Sequence, residues 1–201
     1  MGLYLQHEWS YDQHVPQHQR VFRLMNNYRV QTYSNMPFPD YFDSNRAAQF
    51  ALMEHLKGFP EVETAAHFVP SQSAIGGNSP FYASVDQKQF IIENILFTNT
   101  GTDFQAIFPQ QFLAGSPEGA FSKYNTITIG KSMAEEWFGK DWPQQNVIGK
   151  LVSIEDEVFE LTGVLERMPG NTHFAFDLIV HQDKIPSWGA YTYLKLQENT
   201  N

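Results

Sequence analysis

An α+β fold, rather than a doubly wound parallel sheet, follows from three features of the sequence. About nine stretches alternate apolar and polar residues as strands do, one solid stretch keeps helical spacing, and strands and helices do not strictly alternate. The aromatic content, 17 Phe, 9 Tyr and 4 Trp in 201 residues, points the same way. Aromatic side chains bury large areas and pack well on pleated surfaces.

The elements follow in order. Leu3 to Asp12 is aromatic and polar without clean periodicity, and Pro16 ends any helix there. From Arg20 to Tyr33 the alternation predicts strand, with a hairpin turning at Asn26-Asn27. Pro37 and Pro39 break the chain. A helix then opens on Asp43 or Ser44, puts Ala48, Ala51, Leu52 and Leu56 on one face, and stops at Gly58 and Pro60. Val62–Val69 is a short strand.

Beyond the Gly76-Gly77-Asn78 loop, Phe81–Val85 and Gln89–Thr98 read as strands joined at Asp86-Gln87. Asn99-Thr100-Gly101 forms a turn. Asp103 caps a short helical piece with Phe104, Ile107 and Phe108 on one face, interrupted by Pro109. Ser116-Pro117 reads as a cap followed by a first-turn proline. Thr126–Ile129 is a strand, and Ser132 with Glu135 fits a capping box. The helix it opens carries Met133 and Trp137 one turn apart and ends at Gly139. Leu151–Ile154 and Val158–Val164 form a hairpin across Glu155-Asp156-Glu157. Phe176–Val180 and Tyr191–Leu196 are the last strands.

Composition narrows the function classes. With 13 Lys+Arg against 22 Asp+Glu, the net charge of -9 argues against nucleic acid, which needs a surplus of cations on one face. The absence of cysteine excludes a disulfide scaffold, a thiol nucleophile and a Cys-ligated zinc site. No apolar run approaches the roughly 20 residues that cross a bilayer. The longest stretch without Asp, Glu, Lys or Arg, Thr64 to Val85, is punctuated by Pro70, Gly76, Gly77, Asn78 and Pro80. Met1 to Leu5 has neither a basic start nor an apolar core, so no signal peptide is expected.

Catalytic motifs fail on spacing. Gly130-Lys131-Ser132 resembles the end of a phosphate-binding loop, but position 125, where that loop needs glycine, is Asn. His7-Glu8 opens like a zinc-protease motif, yet Tyr11 stands where the second histidine belongs. His14 and His18 are four apart with Pro16 between them, which fits exposed loop histidines better than a helical metal clip. His173, in Gly170-Asn171-Thr172-His173-Phe174, could act as a base, but no orienting partner can be named, and a tight turn explains the segment. There is no Gly-x-Ser-x-Gly elbow. Glu155, Asp156 and Glu157 read as a solvated hairpin tip, and the aromatics from Phe104 to Phe121 as core. The sequence therefore names no catalytic, cofactor-binding or metal-ligating residue.

A series of fragments carries a resemblance. Ser10-Tyr11-Asp12, Pro16 and Arg20-Val21-Phe22-Arg23-Leu24 open it. Ala114-Gly115-Ser116-Pro117, Ile127-Thr128-Ile129, Ser132-Met133-Ala134-Glu135 and Phe138-Gly139 continue it. Asn146-Val147-Ile148-Gly149-Lys150, Leu161-Thr162-Gly163-Val164, Pro169 to Phe174 and Tyr191 to Leu196 close it in order. From about Tyr11 to Leu196 the chain resembles the MacB-like periplasmic core domain of Bacteroidetes-type, FtsX-like ABC transporter permeases.

The resemblance implies a porter-like α+β subdomain of mixed strands and a helix, residues 11–95 with 165–201, and a smaller α+β subdomain inserted at 96–164. It implies a single extracytoplasmic domain over 1–201 at the periplasmic face of the bacterial inner membrane, without catalytic residues or cofactor. It also implies coupling of cytoplasmic ATP hydrolysis to periplasmic movement. The implied partners are the rest of the permease and its second copy, a separate cytoplasmic ATPase subunit, and a periplasmic adaptor or a peptide or lipoprotein substrate. Family domains continue past the Tyr191–Leu196 strand into a further helix and strand, so a shortened C-terminus is expected, with membrane spans before Leu3 and after Asn201. Two other readings compete. A ligand-binding sensor domain of a membrane protein requires a closed apolar pocket of at least ~300 Å³ with convergent polar groups. A hydrolase requires His173 beside a carboxylate.

Overall fold

The computed structural model describes residues 15–24, 26–28, 31–33, 53–71, 80–166, 176–185 and 190–198. Thirteen strands among them are β1 (Val21–Arg23), β2 (Asn26–Tyr28), β3 (Gln31–Tyr33), β4 (Val62–Pro70), β5 (Phe81–Val85), β6 (Lys88–Ile92), β7 (Ile95–Thr98), β8 (Phe112–Gly115), β9 (Thr126–Gly130), β10 (Leu151–Ile154), β11 (Glu157–Leu165), β12 (Leu178–His181) and β13 (Tyr191–Leu196). The helices are α1 (Gly101–Ile107), α2 (Pro117–Ala120) and α3 (Lys131–Phe138). Residues 53–57 are also helical.

Eleven strands make one mixed sheet in the order β1-β13-β4-β7-β12-β9-β11-β10-β5-β6, with β8 beside β11. Most pairs are antiparallel; β7 with β12 and β9 with β11 are parallel. The expected α+β class therefore holds, and the sheet is larger than the nine strands legible in the sequence. Both faces of its middle are covered. On one face α3 lays Met133 and Trp137 over Ile127, Ile129, Leu178 and Val180. On the other, Phe104 and Ile107 of α1 and Phe108 at its C-terminal cap pack on Phe68, Leu96, Ile179 and Tyr193. Phe68 sits at the centre, edge-on to Phe104 at 5.3 Å and stacked on Tyr193 at 5.6 Å. The aromatics between Phe104 and Phe121 are thus mostly core, as their spacing predicts.

Several boundaries differ from expectation for physical reasons. The hairpin does not turn at Asn26-Asn27, because both residues lie in β2 opposite Tyr33 and Thr32, and Tyr28 still pairs with Gln31. Gln89–Thr98 is two strands. β6 pairs with β5 at the end of the sheet, and β7 pairs with β4 and β12 in its middle. The break is held at Asn94, whose backbone and side-chain N–H groups donate to the Asp177 carboxylate at 3.2 and 3.1 Å. Asp103 does not cap α1. Thr100 holds that position, and its hydroxyl instead accepts the His67 backbone N–H at 2.9 Å. Ser132 and Glu135 form no capping box, since β9 runs straight into α3 with Gly130 at the cap. Ser116 does cap α2, accepting the Gly119 N–H at 3.1 Å. The Asp86-Gln87 turn has positive φ at both residues, the conformation that matches the twist of a two-residue hairpin. The predicted helix from Ser44 is described only over 53–57, where Gly58 ends it by donating to the carbonyls of Glu54 and His55.

Candidate functional site

Parallel strands β7 and β12 end side by side, with Thr98 opposite His181. The chain after β7 turns immediately into α1, and the loop before β9 passes over the end of β12. A cleft of 370 Å³ opens there, lined by residues of the 53–57 helix, the start of α1, the segment Phe121–Tyr124 and His181. Strand ends that turn into helices leave such crevices because the sheet stops while its covering helices continue.

His181 forms part of the wall. Its Nδ1 lies 2.9 Å from the Lys123 carbonyl, which can only accept, so Nδ1 carries the proton and Nε2 keeps a lone pair. Phe121 meets the ring edge-on at 5.5 Å, and Tyr124 lies 5.0 Å away. Burial lowers the imidazole pKa and the carbonyl bond opposes that shift, so the ring is neutral near pH 7. Across the cleft, Asp103 takes the Lys57 ammonium at 2.5 Å and the Thr64 hydroxyl at 2.7 Å. Lys123 pairs outward with Glu160 at 2.7 Å. Asn99, also on the wall, is buried, and its Oδ1 has no partner among the described residues.

A second buried histidine lies behind this wall. His67, on β4, faces Thr192 of β13 with Nδ1 3.0 Å from the hydroxyl, and its Nε2 has no partner among the described residues. Burial lowers its pKa to about 4. Thr98 and Thr100 donate their hydroxyls to the His67 carbonyl at 2.9 and 3.2 Å, tying β4 to the strand end that opens the cleft.

The arrangement can bind but lacks a catalytic grouping among the described residues. Neither buried histidine is hydrogen-bonded to a carboxylate, and the Ser122 hydroxyl is spent on the Gly119 carbonyl. No group of three or more His, Asp or Glu side chains there is placed to hold a metal ion. His18 lies in a short 3-10 turn. His7, His14 and His173 fall outside the described residues. His67 and His181 carry no signal in the sequence, and Asn99 reads there only as part of a turn. Each sits in or beside a strand, where a lone polar residue gives no periodic signal. No described helix is long and apolar enough to cross a membrane.

The model of the MacB-like periplasmic core domain family matches residues 1–201. Among solved structures, a domain of a putative permease protein from Porphyromonas gingivalis aligns at TM-score 0.64 and 18% identity, over 93% of this chain and 79% of that one. The periplasmic region of MacB from Actinobacillus actinomycetemcomitans aligns at TM-score 0.55 and 13% identity, over 76% and 66%. The extracellular domain of the noncanonic ABC-type transporter YknZ from Gram-positive bacteria aligns at TM-score 0.52 and 17% identity, over 73% and 72%. At these identities the likeness shows a shared fold. No curated protein matches the chain.

Proposed function

The chain belongs to the MacB-like periplasmic core domain family, the extracytoplasmic part of ABC transporter permeases, and on that premise we propose that it relays movement rather than performing chemistry. Cytoplasmic ATP hydrolysis by a separate subunit displaces the membrane helices, and the domain carries that displacement to a periplasmic partner or exported substrate. The family match over residues 1–201 carries this reading.

The sheet suits a relay. In this reading segments 11–95 with 165–201 form a porter-like part and 96–164 an insertion. Strands from both interleave, with β12 hydrogen-bonded between β7 and β9, so that they move as one body. A rigid sheet transmits a push because its backbone hydrogen bonds and packed faces resist shear. In this reading the domain works with the rest of the permease, its second copy and the ATPase.

The test uses the absence of native cysteine. With any cysteine elsewhere in the permease and the ATPase replaced, cysteine introduced at exposed Phe22 or Leu151 takes one spin label per copy in the full permease–ATPase complex, and the distance between the two copies is measured with and without ATP. A distribution that shifts with nucleotide is expected. One that is identical in the ATP-bound and nucleotide-free states overturns the relay. The sensor reading draws on the volume of the cleft, 370 Å³, although its wall carries an ion pair and is not purely apolar.

A further inference from the structure

The helical cover of the sheet stops at β11. On the α1–α2 side, Thr162 is still covered, its hydroxyl donating to the Ala120 carbonyl at 3.2 Å. Beyond it, the same face of β11, β10, β5 and β6 has no helix over it among the described residues. Registers place the outward residues together. Tyr82 is opposite Ile91, Ser84 opposite Ser153, Ser153 opposite Val158, and Leu151 opposite Glu160.

A solvated sheet face ordinarily carries polar residues. Here the face holds Leu151, Ile91, Val158 and Tyr82, exposed at 67%, 56%, 55% and 49%. These are half of the large exposed apolar side chains among the described residues, gathered on four adjacent strands. Apolar residues scattered singly need no explanation, but here Tyr82 with Ile91 and Leu151 with Val158 flank Ser84 and Ser153 on one face, a grouping that suits a contact surface.

Charge then selects the occupant. At the end of the face nearest Tyr82 and Ile91 stand Glu93, Glu155, Asp156 and Glu157, none in an ion pair among the described residues. Glu155 is fixed beside the patch, accepting the Tyr82 N–H at 2.8 Å and donating its own N–H to the Tyr82 carbonyl at 3.0 Å. At the opposite end Asp86 pairs with Lys150 and Glu160 with Lys123, each at 2.7 Å, and exposed Lys88 adds a further cation. The preceding segment, residues 72–79, contains no charged residue.

We propose that this face docks another protein through an apolar segment that carries Lys or Arg at one end. A second copy laid with its acidic end over this one would set these four acids against four more, and an anionic lipid surface would meet the same repulsion. A basic-ended apolar segment gains burial over the patch and charge attraction at its rim. The inference rests on exposure, register and charge, and stands apart from the transport reading.

The test titrates the 201-residue chain, followed by backbone amide NMR, with a blocked heptapeptide of alternating Val and Thr bearing two Lys at one end. A control peptide carries two Glu instead. Shifts are expected on β5, β6, β10 and β11 with the basic peptide, with affinity roughly tenfold above the acidic one and falling with salt. The double variant Asp156→Asn/Glu157→Gln should remove most of that preference. Leu151→Ser/Val158→Thr, with circular dichroism confirming an unchanged fold, should abolish binding of either peptide. No shifts with the basic peptide, equal affinity for both peptides, or binding indifferent to both double variants overturns the proposal. So does a concentration-dependent dimer lost in Leu151→Ser, or co-sedimentation with phosphatidylglycerol vesicles lost in the same variant.

Discussion

His67 on β4 and Thr192 on β13 are joined by a 3.0 Å bond between Nδ1 and the hydroxyl, while the other ring nitrogen of His67 is buried without a partner among the described residues. A proton added at that nitrogen would be a buried charge with nothing to receive it. Burial accordingly lowers the pKa of His67 to about 4, against 6.5 for the free side chain. A depressed histidine pKa means that the unfolded chain binds more protons between those two values. The resulting stability is present above about pH 6.5 and lost as pH falls toward 4, a total of roughly 3 kcal/mol. The shift at His181 has the same direction and adds to the trend. Urea midpoints measured at pH 7.5 and 4.5 should fall steeply for the parent chain. His67→Leu should flatten that dependence, and an unchanged slope in the variant would show that another group governs the acid loss.

Gly101 and Phe121 touch so closely that a methyl group at Gly101 would collide with the Phe121 ring. Gly101 opens α1 and Phe121 follows α2, so this contact sets how near the two helices approach over the sheet. Gly101→Ala should destabilise the fold by about 2 kcal/mol through overpacking. Phe121→Leu, which removes the ring, should reduce the added cost of Gly101→Ala by about half in a double-mutant cycle. Strictly additive effects would mean that the strain is relieved elsewhere.

Residues that obey a repeating local rule were readable in advance. The Phe104, Ile107 and Phe108 face, the Asp86-Gln87 turn and the Ser116-Pro117 start each depend on neighbours within a few positions. Features set by distant partners were not. The break at Asn94 depends on Asp177, 83 residues away, and Asp103 is drawn from its expected cap by Lys57 and Thr64. Strand β8, Phe112–Gly115, was missed because its alternation is brief and lies within an aromatic run; its pairing with β11 makes it a strand. The cleft was invisible for the same reason: His181, Asn99 and Lys57 meet only through the crossing order of the sheet. The family resemblance, in contrast, lay in ordered fragments and was fully legible.

The two serine caps separate local rule from tertiary outcome. Ser116 accepts the Gly119 N–H, and its replacement by alanine should cost about 1 kcal/mol. Ser132 caps nothing in α3, whose start is fixed by the end of β9 at Gly130. Ser132→Ala should therefore change stability by less than about 0.5 kcal/mol. Thermal unfolding of both variants decides it, and an equal loss would restore the capping box at Ser132.

Asp103 joins three elements at the cleft, holding Lys57 of the 53–57 helix and Thr64 of β4 while sitting in the first turn of α1. The Lys57 and Asp103 side chains are 32% and 26% exposed, so solvent screens part of their attraction. The coupling from a Lys57→Met and Asp103→Asn cycle should accordingly be about 1 kcal/mol, near the top of the range for accessible pairs. It should shrink by roughly half in 1 M salt, where charges are screened within about 3 Å. Thr64 is buried, so Thr64→Val should cost more than the ion pair is worth if its hydroxyl fixes the Asp103 carboxylate, because one oxygen of that carboxylate loses its donor. Hydrogen exchange supplies the local readout. Amides of residues 53–58 should exchange faster in Asp103→Asn while those of β9 and β12 keep their protection, because the helix is pinned at this point and the strands are not. Equal acceleration everywhere would mean that Asp103 supports global stability and does not specifically hold the cleft wall.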